Sequence, residues 1–162
     1  MKQKKEVSIR KATIKDFKAV YELEKQFVNY QVKRYKLHSI VDPNYVNAPL
    51  KNELEKRLRS RKEAIFLIGK DNQPIGFIGI KLTKPPTWSR SKKSAEISQI
   101  FILPENHGKG YGKLLINHAI KFLKKKGCDL VTLGVHPKNP AQRLYSKVGF
   151  KPDFIQMYKT IK

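Results

Sequence analysis

Residues 95–115 read AEISQIFILPENHGKGYGKLL, and the rest of the chain is organised around this stretch. Ile97 to Leu103 is apolar and rich in β-branched residues, as a buried strand requires. Pro104 stops it. Gly108, Gly110 and Gly112 follow at a spacing of two. Leu114, Leu115, Ala119, Phe122 and Leu123 then recur at helical period on one face. The stretch is therefore a strand, a bend, a glycine-rich turn and the start of a helix. Three glycines at a helix start leave backbone N–H groups bare. With the helix dipole they form an anion site suited to a phosphate or pyrophosphate.

Two familiar phosphate motifs fit poorly. A P-loop needs G-x-x-x-x-G-K-[S/T], and no Gly-Lys-Ser or Gly-Lys-Thr occurs. A dinucleotide fingerprint needs G-x-G-x-x-G after a first strand, whereas here the order is G-x-G-x-G with about 100 residues before it. The hexapeptide His107-Gly108-Lys109-Gly110-Tyr111-Gly112 instead resembles the acetyl-CoA loop of the GNAT N-acetyltransferase family, [Q/R]-x-x-G-x-[G/A]. It matches at both glycines and departs at the first position, where His107 stands for Gln or Arg.

Composition bounds the reading. With 162 residues, 40% hydrophobic and 30% charged, the chain is expected to be one globular domain spanning 1–162. Its apolar runs are too short for a membrane span. The start, MKQKKEVSIRK, lacks the apolar segment of a signal peptide. Cys128 is the single cysteine, so no intrachain disulfide forms, and a cytoplasmic location is expected. The four histidines, 38, 107, 118 and 136, are scattered, and no metal is expected. A net charge of +22 attracts polyanions: nucleic acid, an acidic protein or an anionic cofactor. The lysines are spread along the chain, which suits a solvated surface as well as a binding face.

Outward from the central stretch, the elements follow in order. Glu6–Lys11 alternates as a strand. Thr13 and Asp16 fit a variant capping box before a helix from Ile14 to about Tyr30 or beyond. In and just before residues 31–50 stand Tyr30, Tyr35, His38 and Tyr45, with breaks at Pro43 and Pro49; the aromatic and polar residues there are acceptor-pocket lining or packing. A second helix spans about 50–60. Ala64–Gly69 and Ile75–Leu82 form a hairpin around Asp71-Asn72-Gln73-Pro74. Gly76 and Gly79 within it mark a bulge or a close approach. Lys84–Lys93 is a polar loop with the only Trp. After the central helix, which ends near Lys126, Leu130–Val135 is a strand. Asn139 and Pro140 have the chemistry of an N-cap and first helical residue. A short helix carries Leu144, Tyr145 and Val148, and Phe150–Lys162 is expected to return as a last strand or hairpin.

The segment Asn139-Pro-Ala-Gln-Arg-Leu-Tyr145-Ser-Lys-Val-Gly149-Phe150 resembles a second, late signature of the same family, L-Y-x-x-x-G-F after an Asn. The family's Asn commonly stands seven residues before the Tyr. Here Lys138 holds that place and Asn139 is six before. The resemblance covers about 7–160, most strongly 95–150. It implies an α/β GNAT fold: a mixed, mostly antiparallel central sheet flanked by helices, with splayed central strands forming the CoA slot. It implies acetyl-CoA as cosubstrate, a primary-amine acceptor and, as in many members, a possible homodimer. His107, Gly108, Lys109, Gly110, Tyr111, Gly112 and Lys113 would hold the pyrophosphate. The backbone of Ile100, Phe101 and Ile102 would pair with the pantetheine. Asn139 and Tyr145 would complete the CoA contacts.

Acetyl transfer to an amine of pKa about 10 needs a base, and departure of a thiolate needs a donor. Glu96 falls on the catalytic glutamate of GNAT histone acetyltransferases, where the strand also reads Ala-Glu-Ile. Its alternative is a strand-end carboxylate facing solvent. Tyr145 is the candidate acid; its alternative is core packing. Two readings of other kinds remain open at this point: a basic nucleic-acid-binding module, and a GNAT-like protein that binds CoA without transfer.

Overall fold

The computed structural model describes residues 7–37 and 41–161. Five strands form one sheet in chain order: β1 (Val7–Lys11), β2 (Glu63–Lys70), β3 (Gln73–Thr83), β4 (Ser94–Ile102) and β5 (Leu130–Leu133). The first four run antiparallel to their neighbours; β5 runs parallel to β4. The helices are α1 (Phe17–Tyr35), α2 (Ala48–Arg59), α3 (Tyr111–Lys125) and α4 (Gln142–Lys147). This is the mixed α/β fold that the sequence implied.

Strand alternation builds the two cores. Ile65 and Leu67 of β2, Phe77 of β3 and Phe101 of β4 face Val20, Leu23 and Leu54 of α1 and α2. Phe66, Ile68, Ile78, Ile80, Ala95 and Ile97 face Leu115, Ile116, Ala119 and Leu123 of α3, with Tyr145 of α4. A short 3-10 turn, Ile14–Asp16, leads into α1. There the Thr13 N–H donates to the Asp16 carboxylate at 2.8 Å, the reach-back half of the expected capping box. Asp16 also accepts a forked pair from Arg10, and that pair holds its carboxyl down at about 2.

The hairpin glycines do what their positions suggested. A register shift falls between Gly79 and Ile80, opposite Gln99 and Ile97, so Ser98 is the extra residue of a bulge in β4. A Cβ at Gly79 would stand 2.6 Å from Arg57 Nη2, and one at Gly76 would collide with the Phe101 carbonyl. The loop 84–93 is tied to the start of β5 by Asp129, which accepts from the Lys92 and Lys93 N–H groups at 3.0 and 3.1 Å. Trp88 in that loop is exposed and touches no core.

Two expectations need correction. β5 ends at Leu133 rather than Val135, because β4, its one partner among the described residues, pairs with it no further than Ile97. Residues 150–161 form neither strand nor hairpin. Pro152 stands five residues past the end of α4, where it can donate no ladder hydrogen bond, and the outer edge of β5 is only four residues long, a short template for another strand. His38 lies outside the described residues.

Candidate active site

The parallel pair β4–β5 is zipped only from Ser94–Leu130 to Ile97–Leu133. Beyond Ile97, β4 continues to Ile102 with β3 as its one partner. Residues 98–102 therefore have no strand partner on the β5 side, although the Ile102 carbonyl is met by the His107 ring. Within this edge the side chains of Ile100 and Ile102 pack toward α3, and Phe101 packs toward α1 against Phe27 and Tyr30. What Ile100, Phe101 and Ile102 offer a ligand is backbone.

The glycine turn stands at the end of this edge. Gly108 and Gly110 have φ of 74° and 81°, which L side chains resist, and a Cβ at either would meet nothing within 4 Å. The space beside them is open, as a cradle for an anion must be. The Leu114 N–H donates to the Gly110 carbonyl at 3.2 Å. The N–H groups of Tyr111, Gly112 and Lys113 precede that bond, in the first turn of α3. Lys109 caps the Glu105 carbonyl at 2.7 Å. Gly112 has a further role: its Cβ would lie 3.1 Å from Leu144 Cδ2, so its bareness lets α4 approach α3. His107 is committed inward. Its N–H donates to the Pro104 carbonyl at 3.1 Å, and its Nε2 lies 2.7 Å from the Ile102 carbonyl.

Glu96 and Tyr145 lie on opposite faces of the sheet. Glu96 sits on β4 between Lys81 and Thr132, half-buried, and alternates with Ala95 and Ile97 of the α3 core. Tyr145 is buried on the α3–α4 face, and burial, then the nearby Tyr35 phenol, push its own phenol up to about 12. A group reaching both must lie in the gap where β4 and β5 part, one residue beyond Glu96. Asn139 accepts the Ala141 N–H on Oδ1 at 2.9 Å, starting the turn into α4. A ligand contact from it falls to its NH₂.

A buried polar network that the sequence did not reveal stands on the α1–α2 face. Arg57 donates from Nη1 to Glu24 at 2.6 Å and from Nη2 to Gln99 at 2.6 Å; Gln99 returns a bond to Glu24 at 2.8 Å. Glu63 lies 3.4 Å from Arg57 Nε. Burial pushes the Glu24 carboxyl up, against the pull of Arg57. Glu24 had the spacing of the α1 apolar stripe, the one signal that it points inward.

Residues 34–150 match the model of the acetyltransferase (GNAT) family. This chain belongs to the GNAT acetyltransferase family. Among its relatives is the spermidine N(1)-acetyltransferase of Thermoplasma acidophilum, 30% identical over 152 residues, 90% of this chain and 88% of that one. A Bacillus subtilis chain provisionally named a [ribosomal protein bS18]-alanine N-acetyltransferase is 26% identical over 94% of this chain and 86% of its own length. An uncharacterized N-acetyltransferase of Methanocaldococcus jannaschii is 30% identical over 95 residues; the match spans 58% of this chain and only 42% of that one. The fold also matches the aminoglycoside N-acetyltransferase AAC(6')-Iy in complex with CoA, with a TM-score of 0.78, 20% identity and coverage of 99% and 98%. The GNAT chain is thus an acetyl-CoA-dependent N-acetyltransferase by class. Among the described residues no three His, Cys, Asp or Glu side chains come together to hold a metal, and no helix is long and apolar enough to cross a membrane.

Proposed function

We propose that this GNAT chain transfers the acetyl group of acetyl-CoA directly to a primary amine held between α1, α2 and the opening beside β4. One observation carries the reading: the open, positive-φ glycine turn lies at the end of a strand edge that β5 leaves unpaired. The N–H groups of Gly108 to Lys113 suit the pyrophosphate, and Lys109 and Lys113 add charge. His107 shapes this loop and contributes no backbone donor of its own. The edge that β5 leaves unpaired, short of the Ile102 carbonyl held by His107, suits the amide groups of the pantetheine arm and fixes the thioester by proximity.

Glu96 takes the proton from the incoming ammonium, on the α1–α2 face. The neutral amine attacks the thioester carbonyl carbon, whose oxygen lies beside β4 backbone N–H groups; as the C–S bond breaks, the nitrogen sheds its second proton to water, leaving the amide and the CoA thiolate. Tyr145 donates a hydrogen bond to the departing sulfur from the opposite face. Full proton transfer from a phenol at about 12 to a thiolate of ordinary pKa near 8.5 is uphill by about 5 kcal/mol. Tyr145 therefore stabilises the thiolate as a donor and keeps its proton. The two fuller-length relatives bear names for two acceptor classes, a polyamine and an alanine of a ribosomal protein. A +22 average field favours the second, and a neutral or acidic small amine after it. We place the protein in the cytoplasm on the strength of its single cysteine.

The test is titration of acetyl-CoA and desulfo-CoA into the protein and its Gly110→Asp variant. Saturable binding lost in the variant supports the reading; no binding to either ligand ends it. Acetylation of an amine and peptide panel follows. Glu96→Gln should lower kcat about 100-fold at neutral pH and recover toward the amine pKa. A salt-dependent shift of DNA in a gel, without acetyl-CoA binding, would favour the basic-module alternative.

A further inference from the structure

The end of α1 touches both banks of the opening between β4 and β5. On the β4 side, Tyr30 meets the His107 ring edge-on, with centroids 6.4 Å apart, and packs on Phe101 at 6.0 Å. On the β5 side, Tyr35 stacks on His136 with centroids 4.0 Å apart and planes 20° from parallel. Arg34 lies over both tyrosines, 5.8 and 5.9 Å from their centroids. Lys36 then ends the helix in the left-handed region, φ 55°, and fixes where the last turn stops. His136 stands three residues past β5, and its Nδ1 accepts the Lys138 N–H at 3.1 Å, which orients the ring.

Tyr30 packs on the α1–α2 core through Phe101, but the Tyr35–His136 stack fills no core. Tyr35 and His136 are half-buried and belong to neither apolar cluster. Their placement has a different logic. One pair touches the glycine loop, and the Tyr35 phenol of the other is near enough to Tyr145 to add to the rise that burial gives its phenol. A ligand whose phosphates sit on Gly108–Lys113 and whose reacting end reaches Tyr145 starts at a loop that one pair touches and ends near the other. That stretch of acetyl-CoA is its arm of methylenes and amides, which packs well against flat aromatic faces.

We propose that Tyr35 and His136 form an aromatic clasp across the β4–β5 opening that closes over the pantetheine arm, making Tyr35 a binding and positioning residue for the acyl donor. The proposal rests on the acetyl-CoA reading of the same site. The clasp supplies an apolar face opposite the β4 edge, so the thioester is held on two sides. Its hydroxyl and imidazole nitrogens are not required for that role.

The experiment measures acetyl-CoA Kd by titration, and kcat and both KM values, for Tyr35→Ala, Tyr35→Phe, His136→Ala and the double variant Tyr35→Ala/His136→Ala. Loss of one stacking partner should weaken acetyl-CoA about fivefold, while Tyr35→Phe stays within about twofold. The acceptor KM should move less than the acetyl-CoA KM. The double variant should bind no worse than the weaker single variant, since both remove one interaction. His136 stands in a loop, so its variant reads the clasp even if Tyr35→Ala perturbs α1. Unchanged acetyl-CoA binding in Tyr35→Ala and His136→Ala overturns the proposal, as does additive loss or a change confined to the acceptor KM. Wild-type protein that binds acetyl-CoA, and loses it on Gly110→Asp, shows that such a failure belongs to the clasp alone. Wild-type protein that does not bind overturns both.

Discussion

Tyr145 is the residue on which chemistry and stability are most tightly linked. Its phenol has a folded-state pKa of about 12, set first by burial. The unfolded phenol titrates near 10. The folded state therefore holds the proton more tightly. The stabilisation is complete below about pH 10 and is lost as pH rises toward about 12, where the unfolded chain has already shed its proton. Two outcomes follow for measurements at alkaline pH. Thermal melts should show a decline between pH 10 and 12 that is shallower in Tyr145→Phe. The kcat profile should carry no basic limb from Tyr145 up to pH 10, because the donor is still protonated there. A limb near pH 10 that vanishes in Tyr145→Phe would contradict its place in the buried core. Tyr145→Phe should also lower kcat about 100-fold at pH 8, the usual cost of one lost donor to a developing anion.

Between elements, the Glu24–Arg57–Gln99 network joins α1 and α2 to the bulge of β4. Arg57 is admitted there because Gly79 has no side chain. Gly79→Ala would drive a methyl against the guanidinium, so it should destabilise by about 1–3 kcal/mol, the usual range for overpacking. Glu24→Leu leaves a buried guanidinium with Gln99 and with Glu63, 3.4 Å from its Nε, and should cost about 3 kcal/mol, the low end for breaking a buried pair. Glu24→Leu with Arg57→Met should recover most of that loss in urea melts. Failure to recover would mean the network also sets the bulge that opens the slot. This network was illegible in the sequence, because Glu24, Arg57 and Gln99 are far apart in the chain and each is ordinary at its own position. Elements governed by local signals were legible: the hairpin through its turn residues, α3 through its apolar period, and the glycine turn through its spacing. The partial zipping of β4 and β5 was expected from family resemblance. The end of β5 at Leu133 was missed because Gly134 and Val135 are as compatible with a strand as with its loss. Of the candidate site, the unpaired strand edge and the open glycine turn were legible, and the aromatic rings that α1 brings beside them were only hinted at.

At the scale of the whole molecule, the last residues break the rule that large apolar side chains are covered. Phe154, Ile155, Met157, Tyr158 and Ile161 are 66–90% exposed, in a segment with no strand or helix of its own. Soluble monomers rarely present so dense an apolar run. Lys151 and Lys159 add charge to it but cover none of it. Because these side chains are buried against nothing, removing 151–162 deletes no core contact. The truncated chain should melt within about 2 °C of the full one, since a loss of 1 kcal/mol would already shift a domain of this size by more. It should also bind less of a hydrophobic dye such as ANS. Sedimentation should show weaker self-association for the truncated chain than for the full one, if the run is covered by contact between copies in concentrated solution. A fall of many degrees on truncation would show the opposite, that the segment packs on its own domain and that its apolar residues belong to the core.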